Sequence, residues 1–550
     1  MRKLGVLLCI LMCICSAALA AELDLSKFMP VNEIKPGMKG FGKTVFEGTR
    51  IDEFQIEVLD VSSAPFRLGD IIWVMCSGGP LAETGVLGGM SGSPVYIDGR
   101  LIGAVAYRSG QFSKRPIAGV TPIADMLSIL EKADLDTQHS MLDTRYMEEM
   151  SSLLAYEPEP SMGNPESRIQ DSAISVAPIQ APLMVSGFHP RTIGDMTPVF
   201  KKLGMIPIQG GGASSRDDSV GAPLEPGAVM GIQFVRGDAS SFGYGTATYV
   251  QGDKVLGFGH PMYGAGNTSL PVAGGRVVYL ESSLLASTKF AISGKTAGIL
   301  AYDSEYGIMG VVGREPEFIP MRIRINSSEY NFEIAEHYMF SPLYIRMTML
   351  NVVYGAGKEL GDFTMRTHLE IKLKGYPTIS KDNVFSGTSP GAVASALAAP
   401  LYPIMQSRFE RVDVESISVE MFLEDKRANA VIDEIRINKD QVRPGDFVTA
   451  TIFLTPHMED TVIQQIEVPI PKDAPEGPAF LIIANAKSSS AWEKSRAPAK
   501  AQIVGMSHLI KSIQEEESNS DIIIELFASK LGVTIRDQEL PALPLTTFSV

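Results

Sequence analysis

The run Gly88-Gly89-Met90-Ser91-Gly92-Ser93-Pro94, followed at once by Val95 to Val105, constrains this chain more than any other stretch. Val95-Tyr96-Ile97 and Leu101-Ile102-Gly103-Ala104-Val105 flank the pair Asp98-Gly99. That pair suits a type I′ turn, because both central positions need positive φ. A glycine-serine turn therefore feeds a tight β-hairpin. A serine so placed has two readings. Its small neighbours let a carbonyl approach the hydroxyl, and the N–H groups of Gly89 and Ser91 can converge on an oxyanion. The same residues also suit a plain turn whose serine only satisfies backbone groups.

The first twenty residues read as a secretory signal peptide. Arg2-Lys3 precede an apolar run from Leu4 to Cys15, too short to span a bilayer, and Ser16 to Ala20 supply an Ala-x-Ala cleavage site. No later stretch is long and apolar enough for a transmembrane helix. Cys9, Cys13 and Cys15 would leave with the signal, so the mature chain keeps Cys76 alone. It then forms no internal disulfide and no cysteine-based metal site, and a buried core must supply its stability. The net charge of −15 argues against nucleic acid or an anionic membrane surface as partner. With 550 residues there is chain for several domains.

Residues 21–135 read as a β-rich module. Thr44 to Phe46, Glu53 to Leu59 and Ile71 to Met75 have strand composition, and Phe54, Ile56 and Val58 alternate with Glu53, Gln55 and Glu57. Ile123 to Leu130 reads as a closing helix. Residues 136–225 are polar connecting chain, helical around Tyr146 to Leu154 and marked as linker by Pro158, Pro160 and Pro165. A second β-rich module spans 226–405. Its hairpin, Thr246 to Val250 and Lys254 to Phe258, ends at Gly259-His260-Pro261. Strands at sandwich-like spacing over 406–500 suggest an Ig-like β-sandwich, and 501–550 reads as a helical end, with its helix over Ser507 to Leu531.

Two motifs together resemble the SpoIVB-type serine peptidases, a chymotrypsin-like family. Gly85 to Pro94 with Asp98 to Val105 is similar to the family's nucleophile segment, and Gly245 to Tyr249 through Gly257-Phe258-Gly259-His260 is similar to the strand pair bearing its histidine. Glu305 to Gly310 fits the same module. The resemblance implies a mainly β fold of two chymotrypsin-like β-barrel modules, here followed by the sandwich. Two features depart from the family. Its His module precedes its Ser module, whereas here His260 lies 169 positions after Ser91. A triad is defined by geometry across a cleft, so a permuted order can still build one. The family's acid sits shortly before the nucleophile, and Cys76 to Gly79 contains no aspartate. The family's peptide-binding PDZ segment is not evident either.

The resemblance implies Ser91 as nucleophile, His260 as proton shuttle and the N–H groups of Gly89 and Ser91 as oxyanion hole. Of seven histidines, His260 alone ends a glycine-flanked strand in the matching module. It also reads as a turn histidine bonded to a backbone carbonyl. Asp238 is the candidate acid, with Glu83 and Asp303 as other possibilities, and each also reads as an ordinary loop carboxylate. A Ser–His pair without an acid loses tautomer control and runs slowly. The expectation is an exported serine endopeptidase acting on protein or peptide substrates in the periplasm or cell exterior, with no cofactor or metal. A catalytically inactive double-barrel scaffold that binds partners is the alternative.

Overall fold

The computed structural model describes residues 23–63, 69–109, 115–132, 176–211, 223–284, 286–356, 362–498, 502–528, 532–535 and 538–541. The signal-peptide segment and the helix expected near Tyr146 lie outside these residues. The chain is mainly β and divides into two compact units. One includes the described residues up to Gly187 together with Ile193–Glu317, the other Phe188–Thr192 and the chain from Phe318 on. The boundary at Glu317 falls inside the segment 226–405 that the sequence suggests as one module.

The first unit opens with β1 (Lys39–Glu47), β2 (Arg50–Ser63), β3 (Asp70–Ser77), β4 (Pro94–Ile97), β5 (Arg100–Ser109) and β6 (Ile117–Pro122). Their order is β4-β1-β2-β3-β6-β5, and β4 also pairs with β5, which closes a six-stranded barrel. β7 (Val176–Pro178) adds to the outer edge of β5. In β2 the expected alternation holds: Phe54, Ile56 and Val58 are buried while Glu53, Gln55 and Glu57 are exposed. Asp98 at φ 50° and Gly99 at φ 74° make the β4–β5 turn, as the dipeptide requires. Cys76 of β3 is buried in this core, and burial pushes its thiol up to about 12.

The same unit continues with β8 (Ala181–Ser186), β9 (Met205–Gln209), β10 (Val229–Gly237), β11 (Ser240–Gln251), β12 (Lys254–Gly257), β13 (Gly266–Glu281), β14 (Thr288–Ser304) and β15 (Gly307–Val312). Six of them run β10-β13-β14-β15-β12-β11, and β10 pairs with β11 to complete the circuit. β8 extends this set beyond β11, and β9 lies parallel to β8. Gly48, just past the end of β1, and Val277 of β13 exchange backbone hydrogen bonds of 2.9 and 2.8 Å.

In the second unit β16 (Phe318–Ile325), β17 (Ser328–Ala335), β18 (Thr364–Leu373), β19 (Ile379–Ser386) and β20 (Val414–Glu424) line up as β19-β18-β20-β16-β17. β20 is parallel to β16 and antiparallel to β18, so it belongs to this sheet and not to the sandwich expected from residue 406. The helix Phe340–Gly355 is buried almost all round. Further on, β21 (Ala430–Ile437), β22 (Phe447–Pro456) and β23 (Val462–Pro469) form one antiparallel sheet, and β24 (Ala479–Asn485) pairs with β25 (Ile522–Ala528). Ala450 and Ile452 of the first group cluster with Ile483, Leu481, Ile522 and Ile524 of the second. The expected helix from Ser507 to Leu531 is corrected: it covers only Met506–Gln514, because the β-branched run Ile522-Ile523-Ile524 joins β24 instead. Among the described residues no helix is long and apolar enough to cross a membrane.

Phe54 anchors the first barrel. Its ring lies over Gly42, where a Cβ would come within 2.2 Å of it, and the residue is fully buried. Phe54→Ala is expected to cost about 3–5 kcal/mol in urea unfolding, since the cavity faces a residue with no side chain to fill it.

Candidate active site

The serine turn is held from several directions. Gly88 lies beside β14, where its N–H donates to Ser287 O at 2.8 Å and its carbonyl accepts from Lys289 N at 3.1 Å. Gly92 N donates to Val105 O at 2.7 Å, Ser93 N to Met90 O at 2.9 Å, and Met90 N to Leu87 O at 3.1 Å. The amides of Gly89 and Ser91 make no such bond among the described residues, and these are the two that the sequence resemblance implies for an oxyanion hole. Gly92 sits at φ +93°, and a Cβ there would lie 1.9 Å from Thr246 O. Only glycine permits this approach. Ser91 is fully buried, and its Oγ has no hydrogen-bond partner among the described residues.

Thr246 of β11 links this turn to the histidine. Its N–H donates to Ser91 O at 2.7 Å and its Oγ1 to Gly89 O at 2.9 Å, while its carbonyl accepts from Phe258 N at 3.3 Å. Thr248 Oγ1 adds a bond to Gly92 O at 2.7 Å. Phe258, two residues before His260, has φ +66°. A bulky residue there is an outlier that costs about 1–3 kcal/mol and persists only where its surroundings over-determine it. Next, Gly259 O accepts from Thr121 Oγ1 at 2.5 Å, which pins the strand end carrying His260 to β6 of the first barrel. The two motifs, remote in sequence, thus meet at one residue.

His260 is 3% exposed. Its Nδ1 lies 2.7 Å from Pro261 O. A carbonyl only accepts, so in the neutral ring this contact assigns the proton to Nδ1 and the lone pair to Nε2. That is the tautomer a general base needs, and the carbonyl fixes it. The carbonyl is itself fixed. Asp303 of β14 accepts from Met262 N at 2.9 Å, Tyr263 N at 2.8 Å and Ala265 N at 3.3 Å, which clamps the loop after His260. Burial pushes its carboxyl up to about 6, against the opposing pull of these amides.

Asp238, the candidate acid, does not join this site. It is exposed in the β10–β11 turn, and the seven residues of β11 from Ser240 to Thr246 span roughly 20 Å. Glu83 is exposed in the short helix Leu81–Thr84. Asp303 is the carboxylate that reaches the histidine loop. Sequence alone gave it no more weight than Glu83, because its role depends on β14 passing the loop from Pro261 to Ala265. Lys289, fully buried beside the serine turn, escaped notice. Its register with buried Ala291, two residues on, was the available signal. No protein-family model, curated protein or solved structure matches this chain.

Gly92→Ala is expected to destabilise by at least about 2 kcal/mol in thermal unfolding, through the contact with Thr246 O and the positive φ. Asp303→Asn is expected to cost about 1–3 kcal/mol, since its amide nitrogen must face backbone N–H groups. A carboxyl raised from 3.8 to about 6 contributes stability that is full below 3.8 and is lost as pH rises through 6. The variant's stability, followed by urea unfolding between about pH 4 and 6.5, should lack that slope.

Proposed function

We propose that this protein is a serine endopeptidase of SpoIVB type with a latent site, built on two chymotrypsin-like barrels in permuted order. Ser91 attacks the peptide carbonyl, His260 Nε2 takes its proton, and the amides of Gly89 and Ser91 hold the oxyanion. The proton then passes from His260 to the leaving amine, and water releases the acyl group by the same relay. Pro261 O and Asp303 orient the imidazole in place of the usual acid. The observation that carries this is the hub at Thr246, which ties the serine turn and the histidine strand end to the same backbone. Its substrate is a protein or peptide of the cell envelope, outside the cytoplasm, in keeping with the signal-like first twenty residues.

Burial of both side chains favours a second reading. Ser91 is 0% and His260 3% exposed, so a substrate reaches them only after the surrounding segments part. A scaffold that keeps the fold for binding has no need to part them. A fluorophosphonate probe separates the two. Wild type should acquire label at Ser91, Ser91→Ala should lose it, and His260→Ala should label at least about a hundredfold more slowly. A folded wild type that stays unlabelled, with or without proteolytic activation, supports the scaffold.

A further inference from the structure

Beneath the serine turn lies a cation that the proton relay above does not use. Lys289, the second residue of β14, is 1% exposed. Its Nζ donates to Thr44 Oγ1 at 2.5 Å, and Ser93 Oγ donates to the same oxygen at 3.0 Å. The aliphatic stem passes Gly89, where a Cβ would lie 3.6 Å from Lys289 Cδ and 3.2 Å from the Tyr244 ring. The backbone is tied as well. Lys289 N donates to Gly88 O, and its carbonyl accepts from Tyr244 Oη. One residue therefore touches the turn at Gly88 and Gly89 and, through Thr44, at Ser93.

A lysine is an expensive way to fill a core, because an ammonium without a bound carboxylate resists burial. Leucine or methionine would pack more cheaply. The charged group facing it is Asp52 of β2, opposite Thr44 in the β1–β2 register. Its Oδ1 accepts from Arg50 at 2.8 Å, and its Oδ2 is buried with no hydrogen-bond partner among the described residues. Phe46 of β1 offers its ring, with Nζ 5.8 Å from the centroid, and Tyr244 of β11 completes the surround.

We propose that Lys289 is the positioning residue of the Ser91 turn, and that its gain or loss of one proton changes how the turn is held. As an ammonium it only donates, so Thr44 must accept from it. As an amine it can accept from Thr44 Oγ1, so the Lys289–Thr44 bond reverses its direction while Ser93 goes on donating to Thr44, whose own hydroxyl proton is then committed to Nζ. Burial holds the amine down to about 7, with Asp52 opposing, so both forms are populated near neutrality. The catalytic meaning of this hold rests on Ser91 as nucleophile; the hold itself does not.

Met90 reports on the turn, since it lies buried between Gly89 and Ser91. The full chain, labelled with 13C at its methionine methyls, is titrated from about pH 5.5 to 9 by NMR, with Met90→Leu assigning the signal. The expected result is a Met90 shift with a midpoint near 7, kept in His260→Gln and lost in Lys289→Leu. If Lys289→Leu does not fold, Thr44→Val, which cuts the link to Ser93, should shrink the amplitude. A flat Met90 titration overturns the proposal. So does a shift that survives Lys289→Leu, disappears in His260→Gln, or keeps full amplitude in Thr44→Val. Absence of probe labelling at Ser91 would defeat the peptidase and leave this titration untouched.

Discussion

Three hydrogen bonds on Thr246 make the candidate site a single object. The residue binds Ser91 O, Gly89 O and Phe258 N, so the serine turn and the histidine strand end share one anchor. Each such bond contributes only about 1 kcal/mol net, but a buried carbonyl left without its donor costs more than the bond provides. The turns are thus held less by attraction than by the penalty of leaving buried groups unpaired. The bare backbone of Gly92 is what allows β11 so close, and Phe258 takes a left-handed conformation in the same arrangement.

Much of this was legible in the chain. Period-two burial in β2, the Asp98-Gly99 turn and the helix after β6, Ile123–Lys132, followed from local pattern, because each depends on neighbours a few residues away. The meeting of Ser91 and His260 segments was legible only through the paired motifs. What stayed hidden depended on distant partners. On paper Asp238 stands ahead of Asp303, and only the course of β11 and β14 reverses that order. β20 has the spacing of a sandwich strand, yet β16 and β18 claim it. The helix Phe340–Gly355 is buried almost all round, so it carries no one-sided apolar period to mark it.

Two ionisable groups beside the site are both pressed toward neutrality by burial. Asp303 is pushed up and Lys289 down, each toward the middle of the pH scale. Each also lies under a loop that carries a candidate functional side chain. A dry interior strengthens whatever charge does form there, so a proton gained or lost beneath either loop is felt more strongly than at the surface.

Cys76 gives this arrangement an experimental handle. It is the sole thiol among the described residues, and its sulfur is sealed inside the barrel that β4 helps to close. An alkylating reagent can modify it only in molecules whose barrel has come apart, at a rate governed by how often that happens. The serine turn runs directly into β4 of the same barrel, so tagging at Cys76 reports on the openings of the structure that turn feeds. The protein contains its own gauge of how often that barrel opens.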